Sequence, residues 1–299
     1  MNKKKLFVIC GPTAIGKTNF AIELANKLNT EIISADSRQF YIEMNIGTAK
    51  PSSEELNAAK HHFINNISIN DYYNVYKYEI EAINLINILF QKYDNLILVG
   101  GSGLYINAVC NGIDELPDPD LKLRTELDDI YKLQGISPIQ EILKQLDPEY
   151  YNQIDINNYN RVQRAIEIIK NTGLKISQVR TKTSKNRNFN IIKIGLTTER
   201  ASLYNKINLR VDSMIQNNLI SEALQLYPLK HLNSLNTVGY KELFAHFDGE
   251  CSLEQAIINI KTNSRRYAKR QYTWFNRDLS IQWFQNNDYN SIFQSIIKI

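Results

Sequence analysis

Short apolar runs alternate along this chain with longer stretches in which apolar residues recur every three or four positions. The first run covers residues 6–10 and ends at a glycine; Phe20, Leu24 and Leu28 then recur at helical spacing over residues 19–28. Strand, loop and helix in that order predict an α/β unit. Residues 31–35 form a second predicted strand, ending at Asp36. A predicted helix over 77–91, carrying Ile80, Ile83, Leu85, Ile86 and Leu89, leads to a third strand at 96–99. That strand runs into Gly100 and Gly101, then into a helix from about Leu104. A fourth strand-like run covers 191–196, with a helical stretch over 202–217 behind it. Short, wholly apolar strands separated by helices predict a parallel sheet with helices on both faces.

Between 116 and 190 the texture changes. Pro117, Pro119, Pro138 and Pro148 punctuate amphipathic pieces, and no β-run is visible. Leu121, Leu127, Ile130 and Leu133 suggest one helix, Ile139, Leu143 and Leu146 a second, and Val162, Ile166 and Ile169 a third. The polar, basic stretch 181–190 reads as a loop. From Ser252 onward, Ile257, Ile260, Tyr267, Arg270 and Trp274 fit one long helix. The expected fold is α/β, a phosphate-loop parallel sheet built from 1–115 and 191–299, with an all-helical insertion domain at 116–190.

Composition narrows the class. A chain of 299 residues, 43% hydrophobic and 22% charged, is long enough for one core plus a smaller domain and too apolar for disorder. No run approaches the roughly 18 apolar residues of a membrane span. Lys3, Lys4 and Lys5 precede only five apolar residues, fewer than the roughly 7–15 of a signal peptide, so a first strand and a cytoplasmic, non-membrane protein are expected. Cys10, Cys110 and Cys251 are far apart and read as buried structural thiols. His61, His62, His231 and His246 lack ligand spacing. The net charge of +4 is too small to indicate nucleic-acid binding by itself.

Candidate chemistry begins at the first glycine. Gly11, Pro12, Thr13, Ala14, Ile15, Gly16, Lys17 and Thr18 satisfy GxxxxGK[ST], the ATP-binding type of loop, between a predicted strand and a predicted helix. In that setting glycines let backbone N–H groups converge on phosphate oxygens, and the helix N-terminus adds its positive end. Lys17 supplies a mobile charge, and Thr18 is the expected magnesium ligand. Asp36, closing the second strand, falls on the same sheet edge and could take a proton from an attacking hydroxyl or amine. A nucleotide hydrolase usually offers a carboxylate after a later strand. Here that strand ends in Gly100-Gly101-Ser102-Gly103, which leaves small-molecule kinases and transferases with a diphosphate leaving group.

Longer blocks then become recognisable. GPTAIGKT, SADSRQFY (34–41), NIGTAKPS (45–52) and VGGSGLYINAV (99–109) are followed by LPDPDLKLR (116–124), NRVQRAIEI (160–168), VGYKEL (238–243) and RRYAKRQYTWF (265–275). In order and spacing they resemble the tRNA dimethylallyltransferase family over almost the whole chain, with SADS-x-x-x-Y followed by GTAKP as the narrowing pair. The resemblance implies transfer of a dimethylallyl group from dimethylallyl diphosphate to the exocyclic amine of the adenine 3′ of the tRNA anticodon. It implies Asp36 as general base, Lys17 and residues 13–18 on the diphosphate, magnesium near Thr18, and Arg210 reaching the diphosphate. Against tRNA it places Asp36, Ser37, Arg38, Gln39, Asn160, Arg161, Val162, Gln163 and Arg164, with Ser102 and Arg124 as single contacts. Ser102 stands where the family more often has threonine, and the hydroxyl is kept. Arg161 and Arg164, one helical turn apart, suit a phosphate-tracking pair. The segment 265–277, five basic residues interleaved with Tyr267, Tyr272, Trp274 and Phe275, suits either an RNA-facing surface or a basic face over an aromatic core. The absence of Cys/His zinc-finger ligands after it implies the bacterial type. A monomer acting on the anticodon stem-loop is expected. A small-molecule kinase, an enzyme prenylating free adenine nucleotide, and a non-catalytic RNA-binding protein remain the alternatives.

Overall fold

The computed structural model describes residues 4–179 and 184–297. The chain divides into two compact units, one taking residues up to Asn111 and from Asn186 onward, the other Gly112–Lys185.

In the first unit six strands form one sheet: β1 (Lys5–Cys10), β2 (Ile32–Ser34), β3 (His61–His62), β4 (Asn95–Val99), β5 (Asn190–Thr197) and β6 (Ile281–Gln285). The order is β3-β2-β4-β1-β5-β6 and every pairing is parallel. The helices preceding the second unit are α1 (Lys17–Leu28), α2 (Ser53–Ala58), α3 (Val75–Leu89) and α4 (Gly103–Asn111). Alternation along β1 serves two cores. Phe7 and Ile9 face α1, where Phe20 and Leu24 are fully buried, while Leu6, Val8 and Cys10 face α3 and α4 through Tyr78, Ile86 and Val109. Each large side chain so buried stabilises the fold by about 2 kcal/mol. Cys10 and Cys110 are buried; Cys251, expected inside, is only half-buried, and all three are free thiols.

The second unit is wholly helical: α5 (Leu121–Gln134), α6 (Ser137–Leu146), α7 (Pro148–Gln153), α8 (Tyr159–Thr172) and α9 (Ile176–Val179). Its core joins Leu123, Leu127, Ile139, Leu143, Val162, Ile166 and Ile169. Leu121 and Leu133, expected on the apolar face of the first of these helices, are instead 76% and 82% exposed. The buried face runs through 123, 127 and 130, and both leucines lie off that stripe. Asp147 is fully buried, and both its carboxylate oxygens are used, one by the N–H of Tyr150 at 3.0 Å and the other by that of Ile176 at 2.9 Å.

After the second unit come α10 (Arg200–Gln216), α11 (Leu219–Leu226), α12 (Tyr240–Phe247), α13 (Leu253–Phe275) and α14 (Tyr289–Ile297). Of the stretch read as a loop, residues 181–183 lie outside the described residues. Asn190, read as the loop's last residue, opens β5 beside Lys5 and belongs to the sheet. Strands β3 and β6 escape a reading by apolar runs. One has two residues, both histidine, and the other mixes glutamine with aromatics at the sheet edge.

Candidate active site

The loop between β1 and α1 is shaped by two glycines. Gly11 has φ +141°, and a Cβ on it would lie 2.8 Å from the Leu196 carbonyl of neighbouring β5. Gly16 caps α1 at φ +101° with no side-chain hydrogen bond to the first turn, so those N–H groups are free of a competing cap. Between them Ala14, at φ 62°, holds a left-handed conformation costly for a residue with a Cβ. The Lys17 ammonium donates to the Pro12 carbonyl at 2.7 Å, folding back over its own loop. Burial lowers its pKa to about 8, against an opposing pull from Asp36, with the Arg210 charge lowering it further. Burial also lowers Arg210, whose Nη1 donates to Thr13 Oγ1 at 3.1 Å. Two cations and one carboxylate therefore meet at the loop.

Asp36 lies two residues past the end of β2. Its Oδ1 accepts from the N–H of Arg38 at 3.2 Å, a local turn that holds the carboxylate in place. Ser102 Oγ, in the turn between β4 and α4, accepts the N–H of Ser37 at 3.0 Å. Thus Ser102 braces the Asp36 segment across the sheet edge.

Several side chains expected to face RNA also hold contacts within the protein. Arg38 donates to the carbonyls of Ser234 at 2.6 Å, Asn233 at 3.2 Å and Asn236 at 3.3 Å, strapping down the 233–236 segment. The Gln39 amide donates to the carbonyls of Ala49 at 3.0 Å and Thr48 at 3.3 Å. In the second unit Val162 is fully buried and Gln163 is 6% exposed, its amide bonded to Asp128 and Tyr159. Arg124 and Arg164 both clasp Glu167, which is fully buried, and Arg164 also reaches the Pro117 carbonyl. The pair expected at 161 and 164 is therefore unequal in its protein contacts. Arg164 neutralises a buried acid, while Arg161 and Asn160 stay exposed.

A model of the IPP transferase family matches residues 39–278. The chain belongs to that family. Relatives include the tRNA dimethylallyltransferase 2 of Azobacteroides pseudotrichonymphae, 52% identical over 95% of this chain and 93% of that one. The tRNA dimethylallyltransferase of Christiangramia forsetii is also 52% identical, over 94% and 93%. Among solved structures, a Bacillus halodurans tRNA isopentenylpyrophosphate transferase is 39% identical with TM-score 0.73, over 99% of this chain and 96% of that one. A eukaryotic dimethylallyltransferase solved acting on tRNA has TM-score 0.80 at 28% identity, over 98% and 78%.

In this IPP transferase two cavities open on the phosphate loop and share Thr13, Ala14, Asp36, Arg210 and Tyr267. One, of about 500 Å³, is lined by the loop itself with Lys17, Thr18, Lys50 and Lys206. The other, of about 390 Å³, has an apolar wall of Ile207, Val211, Met214, Val238 and Ile260. Tyr267 lies where the two meet, and burial pushes its phenol up to about 12, so it stays a neutral donor at physiological pH.

Three contributors had no site role in the sequence reading, two of them inside the block 265–275. Tyr267 and Gln271 come from α13, which the sequence marks only as a basic-aromatic helix, yet two of its turns line the loop cavity. Glu222 accepts the N–H groups of Ile46 at 2.8 Å and of Asn45 and Gly47 at 3.0 Å, fixing the GTAKP loop from α11. Its signal, a lone Glu in an amphipathic helix, is indistinguishable from a solvated one.

Proposed function

We propose that this IPP transferase moves a dimethylallyl group from dimethylallyl diphosphate to N6 of the adenine adjacent to the anticodon's 3′ side in tRNA. What supports it most is the sharing of Asp36 and Arg210 by a cation-lined cavity and an apolar-walled one. A substrate with a charged leaving group and a short hydrocarbon needs both. A kinase needs no apolar wall beside the transferred group.

The chemistry assigns the roles. As the allylic C–O bond breaks, negative charge grows on the departing diphosphate, and Lys17, Arg210 and the α1 N-terminal amides stabilise it. The adenine amine is a weak nucleophile because its lone pair is delocalised into the ring. Asp36 takes the N6 proton as the new N–C bond forms. The base must leave its stack to arrive there, so a flipped nucleotide is expected. Among the described residues no cluster of three His, Cys, Asp or Glu could hold a metal. The Thr18 hydroxyl, with Asp36 lining the same cavity, would hold a magnesium ion brought with the diphosphate. Such an ion would offset diphosphate charge. The exposed Asn160 and Arg161 of the helical unit are proposed to meet the anticodon arm.

The test is transfer of label from dimethylallyl diphosphate to an anticodon stem-loop, with the product adenosine identified by mass. Label that stays out of RNA, or that enters free AMP equally well, overturns the proposal.

A pH dependence follows from Lys17. Below about pH 8 it is already charged in the free enzyme. Above that it is neutral, and binding the diphosphate requires proton uptake, so KM for the prenyl diphosphate should rise about tenfold per pH unit. A flat KM from pH 8 to 9.5, or the same rise in Lys17→Met, would remove that assignment.

A further inference from the structure

We propose that Gln271 is the positioning residue that sets the phosphate loop for the diphosphate, by bridging Thr13 to Gly101. The inference rests on the diphosphate site proposed above and adds to it a residue that acts through the loop backbone from the wall of the same cavity.

Gln271 lies on α13 and is 6% exposed. Its Oε1 accepts the Thr13 N–H at 2.8 Å, and its Nε2 donates to the Gly101 carbonyl at 2.9 Å. A main-chain N–H only donates and a carbonyl only accepts, so the carboxamide has one workable orientation and both its ends are used. A carboxylate would set oxygen against the Gly101 carbonyl, and a thioether would leave both backbone groups unpaired. The bridge ties the loop after β1 to the turn after β4, two adjacent strands. Thr13 is also gripped from the other side, since its hydroxyl accepts from Arg210. Gln271 therefore fixes the residue on which Arg210 docks. Both ends of that chain line the loop cavity.

Gly101 gives an independent handle. A Cβ there would lie 2.4 Å from Gln271 Nε2, while the nearest atom of any other residue it would meet is Lys17 Nζ at 3.9 Å. Gly101→Ala should thus push the amide aside and leave the rest of the site in place. With the side chain shortened in Gln271→Ala, the same methyl has room, so the two substitutions must be non-additive if the bridge is what matters.

The experiment is steady-state transfer by the full chain, varying dimethylallyl diphosphate and anticodon stem-loop RNA separately, beside titration with inorganic diphosphate. Gln271→Met, which nearly keeps the volume, and Gln271→Ala should each raise KM for dimethylallyl diphosphate about tenfold, with KM for RNA within about twofold. Gly101→Ala should shift the same KM, and the double variant Gly101→Ala/Gln271→Ala should match Gln271→Ala alone. Wild-type diphosphate affinity in Gln271→Met, or multiplied effects in the double variant, overturns the bridge. If the Gln271 variants fail to fold, Gly101→Ala decides alone, an unchanged KM overturning it. A wild-type protein that binds no inorganic diphosphate removes the functional proposal itself. One that binds it as Gln271→Met does removes only the bridge.

Discussion

Asp36→Asn is expected to lower kcat for prenyl transfer about 10³-fold while tRNA affinity stays within about threefold. Asparagine is the informative choice because its Oδ1 can still accept the Arg38 N–H, so the turn after β2 persists and only basicity and charge are lost. A structural role would instead show as weaker RNA binding or a lower melting temperature. A second effect separates charge from proton transfer. Asp36 opposes the burial that lowers Lys17, so its neutralisation should move the upward bend in KM for the prenyl diphosphate below about pH 8. Loss of less than tenfold in kcat would remove Asp36 as the base. An unmoved bend would say that its charge does not reach Lys17.

The next largest effect is expected at the leaving-group cations. Lys17→Met and Arg210→Gln should each cost about 10²–10³-fold in kcat, because the charge they meet grows only as the C–O bond breaks. Arg210→Lys should recover little. A lysine keeps the charge but cannot present two parallel N–H groups to a diphosphate while holding Thr13 Oγ1, the bond seen at 3.1 Å. Neither substitution should change KM for the RNA. The check is single-turnover transfer at saturating substrates. A defect confined to KM for dimethylallyl diphosphate would mean that the cations hold the ground state and do nothing more in the transition state.

These effects differ in how visible their sources were. Lys17 and Gly16 are legible because a phosphate loop is contiguous: strand, turn and helix N-terminus occupy residues 5–18, and local backbone geometry does the work. Asp36 is legible as the end of an apolar run, because parallel strands bring their C-terminal ends to one edge. The second unit's helices were visible as periodicity, but their exposed leucines were not. Leu121 and Leu123 share the same apolar character but, two residues apart, point about 200° away from each other, so only one joins the buried stripe. Cationic residues were the least legible. Arg38, Arg124 and Arg164 look alike as RNA contacts, and nothing local says that carbonyls at 233–236 or the buried Glu167 claim them.

Readable from the chain alone were the glycine loop between β1 and α1, the carboxylate after the neighbouring strand, four of the six strands with their helices, and the family. Each depends on neighbours in the chain or on blocks in fixed order. Which distant groups complete the site is set by the packing of helices far apart in the chain. Gln271 lies 258 residues from Thr13, and Arg210 lies 197 from it. No local propensity couples such positions. They meet because α10 and α13 pack across the loop, and hydrogen-bond partners are chosen by what folding brings within about 3 Å.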